Sequence, residues 1–112
     1  MAVGKTNGEV DLFTITSNPV TITAAGSFTP QAKQIVDMDF NNDNTKLAVC
    51  YSDDKQLTVV TTWAAAGRTT DQRDTGDNHV ACKWSMNDDV AVADVNKKVK
   101  IFPVTGAGVI NA

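Results

Sequence analysis

The apolar and polar positions of this chain spell out the same three-strand pattern twice. In the first stretch, apolar or alternating runs lie at 35–40, 47–50 and 57–60, with polar turns at 41–44 and 53–55. The second stretch has matching runs at 80–84, 90–93 and 99–102 and matching turns at 86–89 and 96–98. Short alternating runs between turns rich in Asn and Asp predict two antiparallel three-strand meanders. A repeat of about 40–45 residues with four strands per unit is typical of propeller blades.

The first residues match the end of an earlier copy. Runs at 2–4 and 10–13 flank Asn7-Gly8, a dipeptide that favours a two-residue type I′ hairpin turn. Residues 10–13 match the third strand of both meanders, but this copy has no first strand. We therefore expect a segment of a longer protein. The alternatives are a chain that completes a ring with other chains and an open stack of sheets, because propellers close with typically four to eight blades.

The connecting segments predict further strands. Residues 20–24 are β-branched and alternating, which favours a strand that is broken at 25–27. Residues 63–67 are too short and too irregular for a helix, and we expect a short edge strand or a loop around 68–73. With strands lettered a to d in blade order, the chain reads b-c, d, a-b-c, d, a-b-c, with a possible last strand at Val109-Ile110. Residues 1–16 then end a first blade, 17–62 form a second, 63–104 form a third, and 105–112 hold the possible extra strand.

The alternation also predicts which side chains pack between the blades. Val36, Met38 and Phe40 share one face of their strand, and the matching set is Val80, Cys82 and Trp84. Phe40 and Trp84 are the large aromatic residues at equivalent places, so we expect each to fill a gap between adjacent sheets.

Composition limits the class of protein. A chain of 112 residues with 42% apolar and 21% charged residues is typical of a soluble globular domain. No apolar run approaches the roughly 20 residues that cross a bilayer, and no signal-peptide pattern is present, so we expect a cytoplasmic protein without membrane insertion. The net charge of −3 gives no positive field for phosphates. We interpret Lys97, Lys98 and Lys100 as turn and solvent-facing residues, and nucleic-acid binding is disfavoured.

Over roughly residues 1–104 the chain resembles the WD-repeat β-propeller family. The resemblance depends on the strand spacing, on the aromatic residue and acidic turn that end the first strand of each meander, and on Asn78-His79 at the position of the family's Gly-His pair. It implies an all-β fold of antiparallel four-stranded blades in a partial propeller. It also implies that His79 bonds to a turn aspartate, a Ser or Thr, and a tryptophan, although Asn96 and Phe102 occupy the first and last of these positions here. The Trp-Asp dipeptide of the family is replaced by Phe13-Thr14, Val60-Thr61 and Phe102-Pro103.

No residue pattern predicts a catalytic, cofactor or metal site. We interpret His79 as a structural loop histidine, because no Ser or Cys nucleophile lies near it in a strained turn. The acid pairs Asp53-Asp54 and Asp88-Asp89 are interpreted as solvated turn residues. Gly4-Lys5-Thr6 lacks the rest of a phosphate-binding loop. Cys50 and Cys82 are interpreted as reduced core residues, which cannot make a zinc site with one histidine.

The expected function is a non-catalytic scaffold for protein–protein interaction. Its polar loops at 41–44, 68–78 and 87–89 would contact other proteins or further blades. Cytoskeletal proteins are common members of the resembled family, and a small-molecule ligand is not expected. One alternative is a carbohydrate-binding or enzymatic propeller segment, which would need converging acids, metal ligands or aromatic loop tips. The other is a small free-standing β-sandwich, which leaves the internal period unexplained.

Overall fold

The structure is a computed structural model and describes residues 1–61 and 68–111. These residues form ten β-strands: β1 (Ala2–Gly4), β2 (Val10–Thr16), β3 (Thr21–Phe28), β4 (Ile35–Phe40), β5 (Lys46–Tyr51), β6 (Gln56–Thr61), β7 (Thr69–Asp74), β8 (His79–Trp84), β9 (Asp89–Asp94) and β10 (Val99–Pro103). Within the described ranges there is no helix, and so none that could cross a membrane.

The strands form three antiparallel sheets that follow one another along the chain. The first sheet has the order β1-β2-β3, the middle sheet β4-β5-β6-β7, and the third sheet β8-β9-β10. In blade letters these are b-c-d, a-b-c-d and a-b-c, so the predicted strand order and the all-β fold class are confirmed. The middle sheet has four strands, and the sheets stack face to face as blades of an open, partial propeller.

The connecting segments agree with the pattern in outline. Strand β7 lies at the edge of the middle sheet, which confirms an edge strand in the region of 68–73. Near the C-terminus, Val104 and Ile110 form an isolated antiparallel bridge instead of a full strand. The alanine-containing run 63–67 lies outside the described residues.

Two local predictions were wrong. The loop after β1 has three residues, because Lys5 N donates to Glu9 O, and only Gly8 of the Asn7-Gly8 pair has a positive φ. This is a type I turn closed by a glycine bulge, not a two-residue type I′ turn. The predicted break at 25–27 is also absent: β3 continues to Phe28, and its register shifts opposite Leu12/Phe13 while Gly26 takes a positive φ.

A β-bulge corrects the predicted packing face of β4. The register shifts between Ile35 and Asp37, which turns Val36 outward and leaves it 40% exposed. Ile35 packs inward in its place. An equivalent bulge in β8 lies between His79 and Ala81 and exposes Val80. Because each bulge inserts one residue, simple alternation fails at these two positions.

Two buried apolar layers hold the three sheets together. The layer between the first and middle sheets includes Val10, Leu12, Leu47 and Tyr51, with Met38 and Phe40 packed against it. The layer between the middle and third sheets includes Ala48, Leu57, Trp84, Val90 and Phe102. Phe40 and Trp84 therefore lie at matching places in neighbouring sheets, as predicted. Every residue of β5 is buried, because this strand is covered on both faces.

Candidate interaction surface

His79 lies in the seam between the middle and third sheets. Its side chain is almost completely buried, its Nδ1 accepts a hydrogen bond from Tyr51 N at 3.1 Å, and its Nε2 lies 2.7 Å from Thr75 Oγ1. Because Nδ1 accepts from an N–H group, the ring is neutral and its proton is on Nε2. The hydroxyl of Thr75 in turn donates a hydrogen bond to Lys55 O, 3.1 Å away. The imidazole therefore ties β8 to β5, and His79, which the sequence placed in a loop, is the first residue of β8.

The polar network around His79 differs from the one that the family resemblance implies. Thr75 is the hydroxyl partner of Nε2, but the donor to Nδ1 is the backbone N–H of Tyr51. Asn96, at the position of the turn aspartate, donates to Asp77 Oδ1 at 2.7 Å. Nothing in the sequence alone marked Tyr51, because its contact with His79 is made by the main chain.

Asp37 and Asp39 connect two sheets through contacts that the sequence did not predict. Asp37 Oδ2 accepts from Cys82 N at 3.1 Å, and Asp39 Oδ2 accepts from Trp84 N at 2.9 Å. The indole Nε1 of Trp84 also donates to Asp39 O at 2.9 Å. Two carboxylates of β4 thus accept from the backbone of β8. The available signal was a pair of acids at alternate positions of an otherwise apolar strand.

The two cysteines lie together in the same seam. Cys50 Sγ and Cys82 Sγ both donate to Asp37 O, at 3.6 and 3.7 Å. The hydrogen bond with Cys82 lowers the pKa of Cys50 to about 7, and the hydrogen bond with Cys50, together with burial, raises the pKa of Cys82. Physically, the first thiolate of the pair is stabilised by the S–H of its neighbour, and the second proton is held more firmly. Both thiols are buried and free of a disulfide bond.

The acid pairs have separate structural contacts. Asp53 Oδ1 accepts from Gln34 N, and Asp54 accepts from Gln31 and from Gln56 N. At the other end of the sheets, Asp88 binds Asn41 Nδ2 at 3.2 Å and Lys46 Nζ at 3.3 Å. Among the described residues no three His, Cys, Asp or Glu side chains converge on a possible metal position.

Two of the basic side chains singled out from the sequence contact neighbouring acids. Lys5 of the Gly4-Lys5-Thr6 sequence bridges Glu9 and Asp11, and these hydrogen bonds raise the pKa of Lys5. Lys100 donates to Thr75 O at 2.5 Å and lies 3.9 Å from Asp94. Lys97 and Lys98 are exposed in the turn before β10.

The three predicted contact loops do not form one surface. The predicted loops 41–44 and 87–89 fall in or next to the turns 41–45 and 85–88, which lie at the same end of the stack and are joined by the Asn41–Asp88 contact. The segment 68–78 is mostly strand β7 and runs from that end to the opposite one, where Thr75 N donates to Lys55 O. We call the end with residues 41–45 and 85–88 the turn end. Met86, Asn42 and Asn87 are exposed there.

An open cleft lies beside β1 and β4, where the first sheet has no inner strand. Its volume is about 440 Å³. The lining includes the apolar residues Met1, Ala2, Met38 and Phe40 and also Asp37 and Asp39, so the wall is mixed apolar and polar. Gly4 has to be small, because a Cβ atom there would lie 2.7 Å from Ile35 Cγ2. The cleft adjoins the free edge of β1, whose counterparts β5 and β9 pair with an inner strand.

Comparison with known proteins supports the fold. The chain is similar to Sqt1 from Chaetomium thermophilum, known from a crystal structure, with a TM-score of 0.72 and 23% sequence identity. The match covers 97% of this chain and 31% of the Sqt1 chain, so this chain spans about a third of its length. No protein-family model matches the sequence, and no curated protein matches it. At this level of identity the likeness shows the fold.

Proposed function

We propose that this chain is a non-catalytic scaffold for protein–protein interaction, of the WD-repeat type, that forms a section of a larger propeller or of a multi-chain assembly. We also propose that the protein is cytoplasmic, because its sequence has neither a long apolar run nor a signal-peptide pattern. The resemblance to the WD-repeat family adds cytoskeletal proteins to the partners that are worth testing.

The observation that supports this proposal is that the side chains able to act as a base or nucleophile serve to hold the sheets together. His79, Asp37 and Asp39 all bond to backbone groups of a neighbouring sheet, and the thiol pair lies buried beside them. A general base or nucleophile has to reach a substrate. These groups instead connect the sheets, which is what a rigid platform for exposed loops requires.

The turn end supplies the proposed contact surface. Met86 is 83% exposed in the same turn as Asn87, and Asn42 is exposed in the turn joined to it by the Asn41–Asp88 contact. Asn41, Lys46 and Asp88 hold the two turns together beneath this surface. An exposed methionine among adaptable amides is suited to protein contacts, because its flexible side chain adapts to different surfaces.

Cross-linking in cell extract with quantitative mass spectrometry tests the proposal. The triple variant Asn42→Ala, Met86→Ala, Asn87→Ala should lose proteins that the unmodified chain captures, while its unfolding midpoint stays the same. The matched control Lys33→Ala, Lys97→Ala, Lys98→Ala changes three exposed residues at the opposite end and should keep those proteins. Identical capture by all three chains would contradict the proposed surface. A saturable hit in a glycan or hydrolase-substrate screen would overturn the non-catalytic scaffold itself.

A further inference from the structure

The outer face of the third sheet has the same pattern as a face that is covered elsewhere in the molecule. Paired positions of β8, β9 and β10 place six side chains on this face: Ala81, Lys83, Ala91, Ala93, Val99 and Ile101. Ala91 and Ala93 correspond to Ala48 and Cys50 of the middle sheet, while Val99 and Ile101 correspond to Leu57 and Val59. Those middle-sheet residues are buried by the third sheet. On the third sheet Val99 and Ile101 are 68% and 64% exposed.

At each interface within the chain, the two sheets contribute different kinds of side chain. In each sheet, strand b offers small residues to the sheet that follows it: Ala2 and Gly4 in β1, and Ala48 and Cys50 in β5. The following sheet covers them with large residues, such as Tyr51 and Met38 in the first interface and Trp84 and Phe102 in the second. Ala91 and Ala93 of β9 are a third set of small residues. A large-residue face is therefore the complement of the third sheet, and a second small-residue face is not.

The outer face of the first sheet supplies such a complement. Val3 corresponds to Val49 and Val92, and Phe13 corresponds to Val60 and Phe102, the residues by which each later sheet covers the one before it. Val3 is 44% exposed and Ile15, farther along the same face, is 51% exposed. Over strands b and c, the two outer faces of one chain thus have small and large side chains like those that meet at the internal interfaces, while Met38 and Trp84 of the inner strands have no counterpart in the first sheet.

The charges of the two faces are also opposite. Lys83 lies on the outer face of the third sheet, where its side chain is 80% exposed although its Nζ lies 3.8 Å from Asp39 Oδ1. Asp11 lies on the outer face of the first sheet, next to Glu9, and both are partly exposed. Lys5 neutralises only one of these two carboxylates. Opposite charges at the rims favour the pairing of unlike faces and oppose the pairing of two third sheets, which would bring lysines together.

We propose that the outer face of the third sheet binds the outer face of the first sheet of a second copy of this chain. This head-to-tail contact repeats the packing of strands b and c between the sheets within one chain, without the inner strand a, which the first sheet lacks. It rests on the stacked-sheet scaffold proposed above and adds the identity of a partner. Because the two faces are different, the contact is heterologous, and further copies can add until a ring closes or a filament grows.

Two complementary variants test this contact in the whole chain. Ile101→Lys blocks the outer face of the third sheet, and Val3→Lys blocks the outer face of the first sheet. By light scattering coupled to size exclusion, the unmodified chain should exceed its monomer mass of 11.9 kDa. Each variant alone should associate at least about tenfold more weakly, because a lysine ammonium has to lose its water in the contact. Mixed in equal amounts, the variants should form a 1:1 dimer that stops growing, since each keeps one intact face.

Controls separate this proposal from failure of the scaffold. Met86→Lys lies at the turn end, off both faces, and should assemble like the unmodified chain. Val99→Lys and Ile15→Lys repeat the test at a second position of each face, and circular dichroism confirms that each variant has β-structure. A monomeric unmodified chain, unchanged assembly of either single variant, or a mixture that stays monomeric overturns the head-to-tail contact. Assembly of Val3→Lys but not of Ile101→Lys would show pairing of two third sheets and would also overturn it. The capture of partners at the turn end is measured separately, so either proposal can fail alone.

Discussion

The hydroxyl of Tyr51 lies in the buried layer between the first and middle sheets and donates to Thr58 Oγ1 at 3.1 Å. Burial raises the pKa of Tyr51 to about 12. The same position of the other two sheets holds a charged pair, Lys5–Asp11 in the first and Asp94–Lys100 in the third. A neutral pair occupies the middle sheet, the one sheet of the three that is covered on both faces.

Tyr51 should make the protein less stable at alkaline pH. The pKa in the folded state exceeds the unfolded value of about 10, so the stabilisation is complete below pH 10 and is lost as the pH rises toward 12. The loss is on the order of 2–3 kcal/mol at pH 12. Urea unfolding of Tyr51→Phe and of the unmodified chain measures this loss. The difference in unfolding free energy between the two proteins should be smaller at pH 11.5 than at pH 8. A constant difference between the two pH values would contradict a buried phenol.

His79 should act on stability. In His79→Ala, Tyr51 N and Thr75 Oγ1 lose a buried partner and a cavity remains, so we expect a loss of about 2–4 kcal/mol in unfolding free energy. His79→Asn should cost less, because its side-chain oxygen can replace Nδ1 as the acceptor. The adjacent Val80→Ala, at an exposed bulge, serves as the control and should change stability by less than about 0.5 kcal/mol. Equal losses of unfolding free energy in His79→Ala and His79→Asn would contradict a stabilising hydrogen bond at Nδ1.

At the scale of elements, β4 and β8 are the inner strands that connect the middle and third sheets. Apolar packing and hydrogen bonds combine there, since Trp84 is buried and bonds through both its backbone N and its indole Nε1 to Asp39. The link is directional: β4 supplies the carboxylates and β8 supplies the N–H groups. At the positions that correspond to Asp37 and Asp39, β8 has Ala81 and Lys83, so the third sheet offers a different inner edge to whatever follows it.

Replacing Trp84 should test this link. Trp84→Ala should cost about 3–5 kcal/mol, because it removes a large buried ring between two sheets. Trp84→Phe keeps most of the packing and loses the indole donor, so its cost should be nearer 1–2 kcal/mol. Both values come from denaturant unfolding, with Met86→Ala as the exposed control. A loss under about 1 kcal/mol for Trp84→Ala would contradict its place between the sheets.

For the whole molecule, stability should decrease from the middle sheet outward. Strand β5 and residues 57–60 of β6 are buried on both faces, whereas residues 21–27 of β3 are exposed. Local opening is easiest where few apolar contacts are lost.

Amide hydrogen exchange measures this gradient. Residues 46–51 and 57–60 should exchange most slowly and residues 21–27 most rapidly among the strands. If a second copy binds as proposed, raising the protein concentration should slow exchange in β10 and leave β5 unchanged. Uniform protection of all three sheets would contradict the gradient.

The sequence by itself determined the all-β class, the strand order from β1 to β10 and the packing faces of Met38, Phe40, Cys82 and Trp84. These features are local: side chains alternate along a strand, and Asn, Asp and Gly tolerate the backbone of turns. The bulges at Val36 and Val80 escaped the pattern, because an inserted residue changes the pairing without changing the alternation of residue types.

Only the tertiary structure decided which distant groups meet. Asp37 contacts Cys82, His79 contacts Tyr51, and the loops at 41–45 and 68–78 separate to different parts of the stack. These contacts depend on how one twisted sheet is placed on the next, and that placement is a sum of many weak interactions along both faces. The same placement leaves two outer faces uncovered within residues 1–61 and 68–111, one with small side chains and one with large ones.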